Sequence, residues 1–201
     1  LTFYFADKKE WGKATLMTAL ATATRVNGIF LVLFLLLKSR SIKVLLGLSG
    51  LLAYMYFLWQ KTGDALAFFH AQSGWEKSTL TAPWVTLSNY FSALTLEFVP
   101  DLTHLVVAIE VLVTGLLIFL LIRFWRQKKL DSAYKYYALA NLALPLATGS
   151  LGSMPRFSLA LFPLFLMIPS LPRIVRAISY FLYSTFFIIG IILFTRGYWY
   201  A

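Results

Sequence analysis

Six apolar blocks run along the chain, at residues 14–37, 44–60, 102–122, 136–148, 157–171 and 177–195. A helix needs about 20 residues, within a range of about 17–25, to cross a bilayer. Residues 102–122 and 177–195 meet that length, and 44–60 meets it with its flanks, so each predicts a spanning helix. Residues 136–148 and 157–171 are shorter and carry Pro145, Pro163 and Pro169. Lipid tolerates such a proline only where neighbouring groups satisfy the carbonyl it frees. Both segments are therefore expected to face protein.

Block 14–37 is interrupted by Arg25-Val26-Asn27-Gly28. Asn and Gly take the left-handed conformation that ends helices, so the pattern predicts a broken hairpin. Its arms, 14–24 and 29–37, would each rise about 14–17 Å, half of a ~30 Å hydrocarbon core, and return to one side. The alternative is a full span with one basic flank outside.

The segment 61–101 is too apolar for a solvated loop and too polar for a span. Asp64 is placed to N-cap a helix over 65–73, with Gly74 as its stop. Trp84, Leu87, Phe91, Leu94 and Phe98 recur at steps of 3 and 4 residues opposite Asn89, Ser92 and Thr95. This segment is expected to hold amphipathic helices lying at the headgroup level of the outer face, anchored by Trp75, Trp84 and Tyr90.

Composition supports a lipid solvent. The 201 residues are 60% hydrophobic and 13% charged, against about 45–50% and about 25% in a soluble domain. The fold class this predicts is all-α, a polytopic transmembrane helix bundle with a broken hairpin and interfacial helices, in one integral membrane domain over 1–201. The net charge of +10 gathers at Lys8, Lys9 and Lys13, at Lys38, Arg40 and Lys43, at Arg123 to Lys135, and at Arg173 and Arg176. That is the topology signal of cytoplasmic loops rather than of nucleic-acid binding. It sends 61–101, the turn at 149–156 and the C-terminal end to the opposite face. Cysteine is absent, which excludes disulfides and thiolate chemistry. Nucleotide-cradling and hydrolase motifs are absent too. No signal peptide precedes the first apolar block, so Leu1 is expected to fall inside a longer polypeptide.

Candidate chemistry concentrates in few residues. Arg156 follows Pro155 between the two proline-containing segments, where a planar guanidinium could grip a lipid-borne phosphate bidentately or simply reach the headgroups. Arg25 and Glu110 are the charges inside apolar blocks, a placement costly enough to imply a pair or a function. Their depths agree, about 18 and ~16 Å above the cytoplasmic edge. They are expected to form a buried ion pair that a charge swap would restore, with Arg25 on a substrate phosphate as the alternative. His70, Gln72 and Asp64 could make a polar outer face in which His70 exchanges protons. A hydrogen-bonded interfacial histidine and a capping aspartate fit the same pattern. His104 is expected to be structural.

Read together, Gly63-Asp64-Ala65-Leu66-Ala67-Phe68-Phe69-His70-Ala71-Gln72 with Trp75, Pro83-Trp84, Ser153-Met154-Pro155-Arg156-Phe157 and Phe162-Pro163-Leu164-Phe165 resemble the PIG-V-type mannosyltransferases, which act in GPI anchor biosynthesis and have bacterial relatives. The Thr24 to Gly28 break and Gly197-Tyr198-Trp199 look like that family as well. The resemblance implies a multi-pass GT-C-type glycosyltransferase, metal-independent and without cofactor. Such an enzyme moves a sugar from a polyprenyl- or dolichyl-phosphate carrier to a lipid or glycan acceptor on the non-cytoplasmic face. The membrane would be a bacterial plasma membrane or, in a eukaryote, the endoplasmic reticulum. It further implies that Arg156, and with it Arg25, holds donor phosphate while Asp64, His70, Gln72 and Trp75 line the cleft. Family members are much longer, and their catalytic Asp stands in a Trp-Asp pair of an earlier outer loop. This sequence has no Trp-Asp pair, so it contributes no catalytic residue and resembles a C-terminal portion ending near Ala201. A transporter with a broken helix and a mid-membrane site, or a non-enzymatic scaffold, is the rival reading.

Overall fold

The computed structural model describes residues 1–71, 81–96, 102–128, 130–152, 154–165 and 167–196. It is 84% helix with no strand among the described residues, so the chain is all-α. Three helices there are long and apolar enough to cross a membrane: Ile42–Thr62 with 21 residues, His104–Trp125 with 22 and Arg173–Ile192 with 20. They arise from the three blocks whose length predicted spans. The chain divides into two compact units, residues 1–79 with 129–141 and residues 80–128 with 142–201.

The first unit begins with α1 (Thr2–Asp7), a short helix with no counterpart in the apolar block pattern. Next come α2 (Trp11–Thr24), a 3₁₀ turn at Val26–Gly28 and α3 (Ile29–Ser39). Arg25 interrupts the helix in an extended conformation, φ −148° and ψ 136°. Gly28 keeps a right-handed φ of −56°, so the break is not the left-handed turn that Asn27-Gly28 predicts. Gly28 is needed for closeness instead: a Cβ there would stand 2.7 Å from Thr22 N and 2.8 Å from Ala21 C. α3 then runs back against α2, and Lys38 in its last turn pairs with Asp7 just before α2 begins. Both basic flanks of the block thus lie at one end of the unit. At 14 and 11 residues the arms rise about 21 and 16 Å, each short of a ~30 Å core.

A 3₁₀ stretch at Ile42–Leu48 leads into α4 (Ser49–Thr62), and both pack on α2. Small residues make that approach possible. Thr22 Oγ1 donates to the Gly47 carbonyl at 2.8 Å, while Gly50 lies against the Ala19 carbonyl so closely that a Cβ would overlap the oxygen. Beneath them Ala6, Ala14, Phe34, Val44 and Tyr137 share one buried cluster. Phe3 stacks on Tyr134 with ring centres 5.4 Å apart and lies 4.6 Å from Phe34. The edge is closed by polar contacts: Tyr134 donates its hydroxyl to Asp7 at 2.8 Å, and Lys38 lies 3.6 Å from Asp131. Burial and the Asp7 carboxylate both push the Tyr134 phenol well above its ordinary range, so it stays a donor.

The second unit contains α6 (Pro83–Leu96) and α7 (Leu102–Trp125), which pack together, the end of α8 (Ser132–Leu146), and α9 (Met154–Ser158), α10 (Phe162–Phe165) and α11 (Arg173–Thr195). The fifth block, expected as one short helix, is split by a 3₁₀ turn at Leu159–Leu161 and a second at Ile168–Ser170. Pro163 and Pro169, each without an amide donor, sit near these breaks. Pro145 and Pro163 are buried, as expected of prolines facing protein, whereas Pro169 is exposed.

Candidate functional site

α4 ends at Gly63, whose φ of +74° is the left-handed cap that releases the chain. Asp64 follows at once. Its Oδ1 accepts the Leu66 N–H at 2.9 Å and its Oδ2 lies 2.7 Å from His70 Nδ1. The helix expected over 65–73 is in its described part only the turn α5 (Ala67–His70), and Leu66, not Asp64, stands at its N-cap. The physical reason is that the Asp64 carboxylate is committed to a local turn on Leu66 and to His70, so helical geometry begins only after that turn. Gln72 and Trp75 lie outside the described residues, as do Ser73 and Gly74. Beside the turn, Trp59, Gln60, Lys61 and Gly63 line a shallow groove.

The His70 hydrogen bond, then the Leu66 N–H, hold the Asp64 carboxyl below its ordinary value of 3.8. A lowered carboxyl pKa means that the turn is stabilised above the unfolded value and loses that stabilisation as pH falls through the folded one. At pH above 3.8 pepsin is therefore expected to cleave Asp64→Ala at Phe68 and Phe69 faster than the native chain, and the ratio of the two rates should fall towards one as the pH drops below that value. Equal cleavage of both proteins at every pH would remove this turn from the account.

Arg25 belongs to the same unit but stands at another depth. α2 rises from the basic end, α3 returns to it, and Ile42–Thr62 rises again, so α2 and α4 run side by side in one direction. Thr22 is level with Gly47 and Gly50, and Arg25 lies three residues further, about 4.5 Å along the axis. That is near the middle of the Ile42–Thr62 span. Its side chain is exposed, and no carboxylate among the described residues of its own unit pairs with it. Glu110, its expected partner, belongs to the second unit, where it is buried at 6% exposure. Charge-swap rescue is the test of that pairing.

Arg156 is exposed on α9 with its guanidinium carbon 6.0 Å from the Phe157 ring centre. No carboxylate among the described residues of its unit pairs with it. The loop leading to it is held by α6 and the residues before it. The Thr81 N–H donates to Ala147 O at 2.9 Å, Thr86 Oγ1 to Leu146 O at 3.0 Å, and Tyr90 Oη meets Ser150 Oγ at 3.2 Å. Ser150 Oγ in turn accepts the Gly152 N–H at 3.1 Å. Burial raises the Tyr90 phenol above its ordinary value, and the nearby Glu110 charge adds to this against the Ser150 bond.

Tyr90 is half-buried, with its hydroxyl against Ser150 on the loop. Trp84 and Phe91, at 73% and 65% exposure, do face outward. The apolar stripe of α6 does not reveal its packed strip, Thr86 and Tyr90. Their spacing of four residues, on the face opposite Trp84, was the available signal. His104 engages a partner in the structure.

Of the predicted site residues, the structure brings together Asp64 and His70. Arg25 stands deeper in the same unit, and Arg156 lies in the other. No group of three or more His, Asp or Glu able to hold a metal occurs among the described residues. The fold and these sites define a membrane-type helical protein. Comparison with protein-family models, with curated proteins and with solved structures gives no match.

Proposed function

We propose that this chain is part of a GT-C-type membrane glycosyltransferase of the PIG-V kind, moving a sugar, in the manner of a mannosyltransferase, from a polyprenyl- or dolichyl-phosphate carrier to an acceptor on the non-cytoplasmic face. The observation that carries the reading is Arg156: an exposed guanidinium with no carboxylate partner in its described surroundings, on the short helix α9 that follows a loop tethered to α6. A planar fork of donors suits a phosphate better than any other common membrane ligand.

In this reading the acceptor hydroxyl oxygen attacks the anomeric carbon, the bond from that carbon to the phosphate oxygen breaks, and the phosphate leaves with its negative charge. Arg156 meets the charge as it develops. Arg25, without an ion pair among the described residues of its unit, is a second cation for the carrier. Asp64 and His70, with Gln72 and Trp75, hold sugar and acceptor hydroxyls. The base that takes the hydroxyl proton is a carboxylate of the complete enzyme, outside these 201 residues, since a base must stand within hydrogen-bond reach of that proton.

The test is transfer of radiolabelled mannose from a polyprenyl-phosphate donor by membranes carrying the complete gene product. Donor-dependent label in a lipid or glycan product supports the reading. Vesicle uptake of a solute without transfer would favour a transporter, and neither activity would favour a scaffold.

A further inference from the structure

We infer that the basic end of the first unit is a binding surface for anionic phospholipid headgroups, formed by Lys8, Lys9, Arg40 and Lys43. This inference does not rest on the glycosyltransferase reading.

Two helix ends carry it. α1 closes with the Lys9 N–H bonded to Ala6 O at 3.0 Å and the Glu10 N–H to Phe5 O at 2.9 Å, and Lys9 has φ +58°. α3 closes with the Arg40 N–H bonded to Leu36 O at 3.0 Å, and Arg40 has φ +53°. This is the left-handed cap position, ordinarily glycine because a Cβ is penalised there. The same chain places Gly63 in that role at the end of α4, with φ +74°. Among the described residues Lys9 and Arg40 are the two non-glycine positions with positive φ. Both are basic, and the Asp7–Lys38 pair brings their turns to the same end. A long charged side chain is thus kept twice where the backbone would prefer glycine, as at strained functional positions elsewhere.

The local carboxylates do not account for these charges. Asp7 and Asp131 pair with Lys38, and Glu10 pairs with Lys13 at 2.6 Å. Lys8, Lys9, Arg40 and Lys43 are exposed and form no ion pair among the described residues of the unit, Lys8 lying 4.4 Å over the Tyr4 ring. Interleaved with them, Tyr4, Ile42 and Leu46 are 54%, 76% and 69% exposed. Cations set among apolar side chains fit the headgroup level of a bilayer, where the charge meets phosphate and the apolar groups enter the acyl boundary. A nucleic acid would leave Ile42 and Leu46 in water.

Because the chain holds no cysteine, Ile42→Cys can carry a single bimane between Arg40 and Lys43. In phosphatidylcholine vesicles, doxyl-labelled phosphatidylglycerol should quench it more effectively than doxyl-labelled phosphatidylcholine. Lys9→Gly and Arg40→Gly should each reduce that preference by up to about fivefold while raising the melting temperature by about 2 °C through relief of backbone strain. Lys8→Gln with Lys43→Gln should reduce the preference with the melting temperature unchanged. Equal quenching by the two lipids, an undiminished preference in the glycine variants, or a melting temperature lowered by glycine would each overturn the inference. So would RNA binding by the protein without any phosphatidylglycerol preference.

Discussion

Gly50→Leu is expected to leave no folded protein that survives extraction, and Gly50→Ala to lower stability by about 3 kcal/mol or more. The Gly50 position faces the Ala19 carbonyl, and an added Cβ would overlap that oxygen and stand 2.8 Å from the carbonyl carbon. The clash with the Ala19 backbone cannot be relieved by a rotamer change, and the Thr22 hydroxyl, 2.8 Å from the added Cβ, is itself held by the Gly47 carbonyl. Relief would require separating α2 from α4, which would also lengthen the Thr22 to Gly47 hydrogen bond. Inside a membrane close approach of helices supplies much of the association, because lipid tails are as apolar as leucine and offer no hydrophobic drive. Gly63→Ala serves as the comparison: no atom stands near its added Cβ, so its cost is conformational and about 1 kcal/mol. Thermal unfolding followed by size-exclusion profile separates these outcomes. A Gly50→Leu protein with a wild-type profile would show that α2 and α4 do not meet as described.

On the proposed glycosyltransferase reading, Arg156→Lys should lower transfer from a polyprenyl-phosphate donor by about 10²–10³-fold, the range seen when one donor to a developing negative charge is lost. Lysine keeps the charge and removes the fork, so ionic attraction for the carrier persists while alignment of the leaving phosphate does not. Arg156 is exposed and its described neighbour is its own Phe157, so the melting temperature should not change. Loss of transfer with unchanged stability is the signature of a ligand contact. Equal transfer by the lysine variant would reduce Arg156 to a headgroup anchor.

Much of the fold was legible because length is a strong constraint in lipid. Residues 44–60 with their flanks, 102–122 and 177–195 had the reach of a span, and helices over those positions have it in the structure. The break at Arg25 was legible from a charged and polar interruption of an apolar run, but its chemistry was not. The pattern pointed to a left-handed Asn27-Gly28, whereas the chain extends at Arg25 and uses Gly28 to touch α2. Close approach depends on a partner helix distant in sequence, and no local pattern encodes it. α1 escaped notice for a related reason: six residues are too few for a periodic signal, and α1 is held by Phe34, Tyr134 and Lys38 from elsewhere in the unit. At the candidate site, the nearness of Asp64 and His70 followed from six residues of spacing across a turn. The tether on the Arg156 loop joins residues 60 apart and could only be seen folded.

The proposed reading requires Arg156 to stand on the non-cytoplasmic face, where a lipid-linked donor is used. In this cysteine-free chain it can be measured with single substitutions, Arg156→Cys and Lys43→Cys, and a membrane-impermeant maleimide. The first should be modified from the non-cytoplasmic face of sealed vesicles and the second only once the cytoplasmic face is opened. Modification of both from one side, or shielding of Arg156→Cys from both, would contradict it.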